Sequence, residues 1–334
     1  MAASGFLTAP FCIATVFVLY WSIALGCLVG RIRFWDFKGG RNDTHSWAIA
    51  MNAVLGVKYL KVGTNSLYKD GRCVYLCNHR SWADFFVDIY LTEGLAQPMA
   101  RTMVYIAFPM FMTSVFFLKG VVLFKRGAIA DKVKFNAWLD SKLTSSPAQN
   151  LLVYPEGHRS IQPKSLSLKR GMLYYAHSRG LPVQVIMARG KELILSEKKC
   201  RAGYGVHLPV AFSELVSSEG RTFDEFAAAV QSTWDKTWST AYGVDLKGLR
   251  PLQQQDVPLH DYPVQTRYRQ GAWCIVCIVG FAFALWLWYA ALAWAISWLP
   301  SVLQVVGWVA VAAFFGLSVH ASIIDNDAMN TKVA

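Results

Sequence analysis

The feature that most constrains this chain is a run of 53 residues, 272–324, without one charged side chain. A helix on a soluble core keeps a polar face toward water, so a water-soluble domain has no use for so long an uncharged stretch. A membrane-spanning helix needs about 20 apolar residues. The run therefore predicts two spans, with Leu299-Pro300-Ser301 as the turn between them. Residues 1–30 are also uncharged, and residues 10–30 predict a further span within an N-terminal anchor region, 1–57. This first run is longer than the roughly 7–15 apolar residues of a signal peptide and has no basic leader. It reads as an uncleaved anchor.

Charges at the ends of the runs predict orientation. Arg31, Arg33, Lys38 and Arg41 follow the first run, and Arg267 and Arg269 precede the last. Lys and Arg collect on the cytosolic side of spans, so the central region is expected to face the cytosol. The tail, 325–334, would return to that side. The formal net charge is +12. A basic cytosolic face suits anionic lipid headgroups and the bilayer; no zinc-finger spacing or basic helix points to nucleic acid. The seven cysteines follow no disulfide framework. Cys73 and Cys77 flank an apolar run and read as buried free thiols, which fits a reducing compartment.

Between the apolar ends, residues 58–246 form one domain's worth of sequence. Short apolar runs at 73–77, 120–124, 151–154 and 182–187 alternate with helical patterns at 131–143 and 169–178. This predicts an α/β fold with a central, mostly parallel sheet flanked by helices. Residues 247–271 are rich in Gln, Pro and charge and read as a linker. Two apolar stretches are too short to span. Residues 47–57 are expected to lie flat on the membrane. Residues 103–118, with Pro109 inside, fit a core helix, an interfacial helix or the wall of a lipid groove.

Chemistry enters with Asn78-His79-Arg80-Ser81-Trp82-Ala83-Asp84. Histidine titrates near neutral pH, and a carboxylate beside it fixes its tautomer and stabilises its protonated form. Alone, such a pair arises often by chance. Three later segments change its weight: Gly120-Val121-Val122-Leu123-Phe124-Lys125-Arg126, Val153-Tyr154-Pro155-Glu156-Gly157-His158-Arg159-Ser160, and Leu181-Pro182-Val183-Gln184-Val185-Ile186. In open α/β sheets ligands bind beyond the carboxyl ends of strands, where these three segments present charged or flexible groups.

In this order the four segments resemble the 1-acylglycerol-3-phosphate acyltransferases, the lysophosphatidate acyltransferase family. Its pattern reads Asn-His-x4-Asp, Gly-x-x-Phe-x-x-Arg, Phe-Pro-Glu-Gly-Thr-Arg-Ser and a proline-led Val/Ile strand. The resemblance covers about residues 75–190. Four departures stand out: His158 for Thr, Tyr154 for Phe, an aromatic shifted by one at Phe124, and Gln184-Val185 where a second proline is usual. Every expected catalytic group is in place, but the acceptor headgroup stays open.

The resemblance implies a glycerolipid-acyltransferase-like domain in which His79 is the catalytic base and Asp84 its partner. It implies acyl-CoA as donor and a lysophospholipid as acceptor. Arg126, Glu156, Gly157 and Arg159 would bind substrate, with Gly120, Ser160 and Lys169 beside them. The residue chemistry agrees. A hydroxyl is a poor nucleophile until a base takes its proton, a contribution of about 10²–10⁴-fold. Arginine's planar fork matches phosphate, and glycine lets the backbone approach an anion closely. Glu156, itself an anion, would orient Arg159 or a substrate hydroxyl. Residues five apart on a helix point about 140° apart. His79 is therefore expected in the loop before a helix, with Asp84 in its first turn.

The expected function is transfer of an acyl group to the sn-2 hydroxyl of lysophosphatidate, giving phosphatidate, at the endoplasmic reticulum or another internal membrane. No metal or cofactor beyond the acyl-CoA substrate is expected. Another lysophospholipid, such as lysocardiolipin or lysophosphatidylinositol, or glycerol 3-phosphate, remains open as acceptor. A non-catalytic membrane scaffold is the reading from a different class; the retained His79, Asp84 and Arg159 stand against it.

Overall fold

Val74–Cys77 and Val183–Ala188 are apolar or buried at every position, as strands are when both faces of a sheet are covered. The structure, a computed structural model, describes residues 2–29, 43–102, 104, 121–124, 131–146, 148–196, 198–254 and 264–327. The strands in chain order are β1 (Lys58–Val62), β2 (Val74–Cys77), β3 (Ala96–Arg101), β4 (Val122–Phe124) and β5 (Asn150–Val153). They continue with β6 (Val183–Ala188), β7 (Leu195–Ser196), β8 (Arg201–Ala202), β9 (His207–Phe212) and β10 (Arg250–Pro251). Eight of them form one sheet, in the order β10-β1-β9-β6-β2-β5-β3-β4, and β7 pairs with β8 apart from it.

Direction within the sheet decides where chemistry can occur. β6, β2, β5, β3 and β4 run parallel, with Leu76 opposite both Val153 and Val185. β9 joins β6 antiparallel, so the sheet reverses there. Five neighbouring strands therefore end on one edge.

Both faces are covered. The helices in chain order begin with α1 (Ala2–Val29), α2 (Asp43–Val54), α3 (Asp84–Leu91), α4 (Lys132–Thr144) and α5 (Gly171–Ser178). After these come α6 (Lys191–Ile194), a single turn, and α7 (Phe223–Tyr242). Successive strand side chains point to opposite faces. Tyr75, Cys77 and Ile186 thus meet Trp47 of α2 and Phe86 of α3. Val74, Leu76, Val183 and Val185 meet Leu139 of α4, Leu173 of α5 and Phe226 and Trp234 of α7. Cys73 and Cys77 are buried free thiols.

α2 carries most of the stretch expected to lie on the membrane. It turns Trp47, Ala48 and Met51 into the core and shows Ile49 and Val54 outward. The edge contact of Trp47 with Phe86 accounts for this inward face. Of residues 103–118 only Val104 is among the described residues.

At the C-terminal end lie α8 (Val264–Ser297) and α9 (Ser301–Ala321). Ile278–Ser297 and Ser301–Ala321 are long and apolar enough to cross a membrane. Their surface is bare: Trp294 is 66% and Val302 81% exposed. Soluble proteins do not leave so large an apolar area uncovered. α1 runs along this hairpin, with Phe6 against Phe314 and the Phe11 N–H on Ser318 Oγ at 3.0 Å. Farther along, its Cys12 and Leu19 enter the core on the α3 face. Beyond α9 the tail is stitched to the domain. Tyr204 N–H donates to Ser322 O (2.8 Å), Ile324 N–H to Tyr204 O (3.0 Å) and His207 N–H to Asn326 Oδ1 (2.9 Å).

Candidate active site

β2 ends at Cys77, and the chain turns through Asn78 and His79 before α3 begins at Asp84. Asn78 makes that turn rigid. It is buried, its Nδ2 donates to Ala188 O (2.8 Å), and its Oδ1 accepts from Ala188 N–H (3.2 Å), clamping the loop to the end of β6. His79 therefore sits off the helix. Its Nδ1 lies 2.7 Å from Asp84 Oδ2. The same oxygen accepts the N–H groups of Arg80 (2.5 Å) and Ser81 (3.1 Å), so the carboxylate also satisfies free donors at the helix start. A carboxylate only accepts, which places the imidazole hydrogen on Nδ1 and leaves Nε2 as the basic nitrogen. The His79 side chain is 26% exposed and Asp84 2%. The ring is reachable; its partner is not.

The loop after β5 closes the other side. Tyr154 stacks on His79, and Glu156 Oε1 accepts the His79 N–H (3.2 Å). Ser160 N–H donates to His79 O at 3.0 Å. The structure thus sets Glu156 and Ser160 on the backbone of His79. Glu156 is buried, which pushes its carboxyl up to about 7, against the lowering effect of the His79 N–H, Lys191 and Arg80.

Beneath the histidine lies a buried ion cluster. Lys191, from the single turn after β6, has no exposed surface. Its Nζ donates to Asp88 Oδ1 (3.0 Å) and Oδ2 (2.9 Å) and to Asn78 O (2.5 Å), and stands 3.6 Å from Asp84 Oδ1. A buried charge is tolerated only when paired and hydrogen-bonded. Burial would lower the lysine, but Asp84 and Asp88 outweigh it and hold the ammonium charged. Burial would raise Asp84, but Lys191 and the His79 contact outweigh it, and the carboxyl lies below its usual range. Asp88 is pushed up to about 7 by burial, with Lys191 opposing.

Arg80 ties three segments to this loop. Its Nε and Nη2 form a fork on Glu192 (3.1 and 2.8 Å), and Nη1 donates to Gln162 O (2.8 Å). The guanidinium lies 5.6 Å from the rings of both Trp238 and Tyr242, which stack on one another.

Cationic groups gather at the turn after β5. Gly157 has φ +76°, and a Cβ there would come within 3.2 Å of Lys169 Cγ, so the turn favours glycine on both counts. Lys169 is exposed and its N–H donates to Pro155 O (2.8 Å). Arg101, at the end of β3, donates from Nη2 to Gly157 O (2.9 Å). Arg159 lies over the Trp82 ring at 5.9 Å. His158 is exposed beside them. Gly120 and Arg126, the remaining sequence-derived candidates, lie outside the described residues. Among the described residues no group of three or more His, Cys, Asp or Glu is placed to hold a metal ion.

The site thus draws on β6, β2, β5 and β3, which contribute Lys191, His79, Glu156 and Arg101 just beyond or at their ends. Sequence reasoning missed Lys191, Asp88, Arg80 and Arg101. Lys191 had a signal: it follows the end of β6 by three residues, much as His79 follows the end of β2.

Comparison with known proteins fits this geometry. The family model described as Acyltransferase matches residues 59–188, which span β1 to the end of β6. No curated protein matches the chain. Among solved structures, the 1-acyl-sn-glycerophosphate (LPA) acyltransferase PlsC from Thermotoga maritima is similar, with a TM-score of 0.50 and 19% identity. The likeness covers 70% of this chain and 94% of that one. The match over residues 59–188 supports an acyltransferase, and the likeness to PlsC establishes the kind of fold that carries it.

Proposed function

We propose that the protein moves a fatty acyl group from acyl-CoA to the sn-2 hydroxyl of lysophosphatidate, giving phosphatidate, with His79 as general base. One observation carries the reading: His79 Nδ1 is held 2.7 Å from a buried carboxylate beyond the end of β2, and Arg101 and Arg159 lie at the neighbouring turn after β5.

The steps follow from that arrangement. Nε2 takes the proton of the acceptor hydroxyl as its oxygen attacks the thioester carbonyl. Asp84 stabilises the imidazolium that forms. The tetrahedral intermediate collapses, the C–S bond breaks, and the imidazolium proton passes to the departing CoA thiolate. Arg159, Arg101 and Lys169 hold the acceptor phosphate through charge-assisted hydrogen bonds. Residues 58–246 act as the catalytic domain, anchored by the N-terminal region and by the α8–α9 hairpin. In our reading the site faces the cytosol at an internal membrane, the endoplasmic reticulum, where acceptor and product are bilayer lipids; the Lys and Arg residues at the ends of the apolar runs support this.

The test is a microsomal assay with labelled acyl-CoA against lysophosphatidate, lysocardiolipin, lysophosphatidylinositol and glycerol 3-phosphate. Lysophosphatidate is expected to be the best acceptor, and His79→Ala to abolish product while inserting normally. Wild-type turnover by His79→Ala would overturn the base. A different best acceptor would overturn the substrate.

A further inference from the structure

We infer that Lys191 is a positioning residue for the His79–Asp84 pair: it fixes the loop that carries His79 and sets the proton affinity of the pair. The inference rests on the proposed role of His79. Lys191 lies three residues beyond the matched segment 59–188.

The geometry is specific. Asp84 spends Oδ2 on three N–H groups, those of His79, Arg80 and Ser81. Its Oδ1 has no hydrogen-bond partner among the described residues and faces Lys191 Nζ at 3.6 Å. The same ammonium donates to Asn78 O, the carbonyl directly before His79. One buried cation thus touches the carboxylate that orients the base and the backbone that delivers it. An ion pair with Asp88 alone would have balanced a merely structural lysine.

Charge explains what the arrangement does. With Asp84 and Asp88 both ionised, two carboxylates and one ammonium leave the cluster with one negative charge in excess. Proton uptake by His79 brings it to neutrality at the moment the acceptor hydroxyl loses its proton. Among the surrounding groups Glu156, pushed up to about 7, titrates in the same range, while the others hold one charge state. Cys77 from β2 and Tyr154 from the β5 end stay neutral through burial. Arg80 is spent on Glu192 of α6. Tyr242 of α7 is kept neutral by burial, and Glu156 already has one oxygen on the His79 N–H. Without Lys191 the two carboxylates face each other unbalanced, and the cluster takes up its proton at higher pH.

The experiment uses the full-length protein in detergent micelles. Lys191→Met keeps the length and removes the charge. Its kcat is expected to fall about 10²-fold, with KM for acyl-CoA little changed. The acid limb of its pH–rate profile is expected to move up by about one unit. Asp88→Asn/Lys191→Met removes one charge of each sign. It should return the acid limb to the wild-type position while kcat stays about tenfold low, because Asn78 has lost its donor. NMR titration of the His79 ring in the same variants should show the same shifts and needs no turnover, so a wrong acceptor does not affect this readout. An unmoved acid limb and ring titration in folded Lys191→Met would overturn the inference. If the single variant does not fold, the double variant decides, and wild-type kcat in it would overturn the inference.

Discussion

The Tyr154 ring lies flat against His79, with centroids 4.3 Å apart and planes 18° apart. The contact fixes the plane of the imidazole, while the bond from Nδ1 to Asp84 fixes its rotation within that plane. The ring, not the hydroxyl, makes the stack. Tyr154→Phe should therefore stay within about threefold of wild-type kcat, and Tyr154→Ala should lose about tenfold or more through misplacement of the base. Steady-state kinetics of the two variants checks this; equal losses would contradict it.

Asp84→Asn keeps the shape of the side chain and removes its charge. The amide can present N–H to Nδ1 and so select the wrong tautomer. A drop of about 10⁴-fold in kcat is expected, the scale seen when a triad carboxylate becomes an amide. Far-UV circular dichroism should be unchanged. A loss under tenfold would mean that Asp84 serves the helix start and not the histidine.

Glu156 makes a prediction about stability and pH. Its carboxyl rises from 4.5 to about 7 because burial penalises the charge. The folded protein therefore binds this proton more tightly than the unfolded chain. The corresponding stability is complete below pH 4.5 and is lost as pH rises through about 7. Glu156→Gln is neutral throughout. Thermal melting at pH 5 and pH 8 should show the variant gaining on the wild type toward pH 8. A variant that loses ground to the wild type between pH 5 and pH 8 would contradict the assignment.

Arg80→Ala should destabilise the fold by about 2–3 kcal/mol, less than a fully buried pair because Glu192 keeps 21% of its side chain exposed. Arg80→Lys retains the charge but not the planar fork, so it should recover only part of the loss. Chemical denaturation of the three proteins checks the order. Full rescue by lysine would mean that charge alone matters there.

Much of this architecture was legible in the residues. Residues 73–77 and 182–187 read as strands because short apolar runs of that length suit a sheet covered on both faces, and the strands formed are Val74–Cys77 and Val183–Ala188. The spacing of His79 and Asp84 read as loop and helix start because a helix would point them apart. β3 was not legible: Ala96-Gln97-Pro98-Met99-Ala100-Arg101 has no apolar alternation and contains a proline, and its pairing with β5 and β4 decides its state. Arg101 was lost with it. Lys191 next to Glu192 reads as a solvated pair in any linear view. Only the return of β6 beside β2 puts its ammonium under Asp84, and that is a tertiary fact. Arg80 was hidden differently, as an unassigned position inside a motif read for its ends.

The tail beyond α9 joins Tyr204, Gly205 and His207 through its own backbone and Asn326. The consequence is mechanical. A hairpin tied to the sheet at its last turn cannot swivel independently of it. A tilt of the two apolar helices is thereby passed on to the sheet they are tied to. For the lipid acceptor proposed above, this connection favours an approach to His79 by lateral travel within one leaflet.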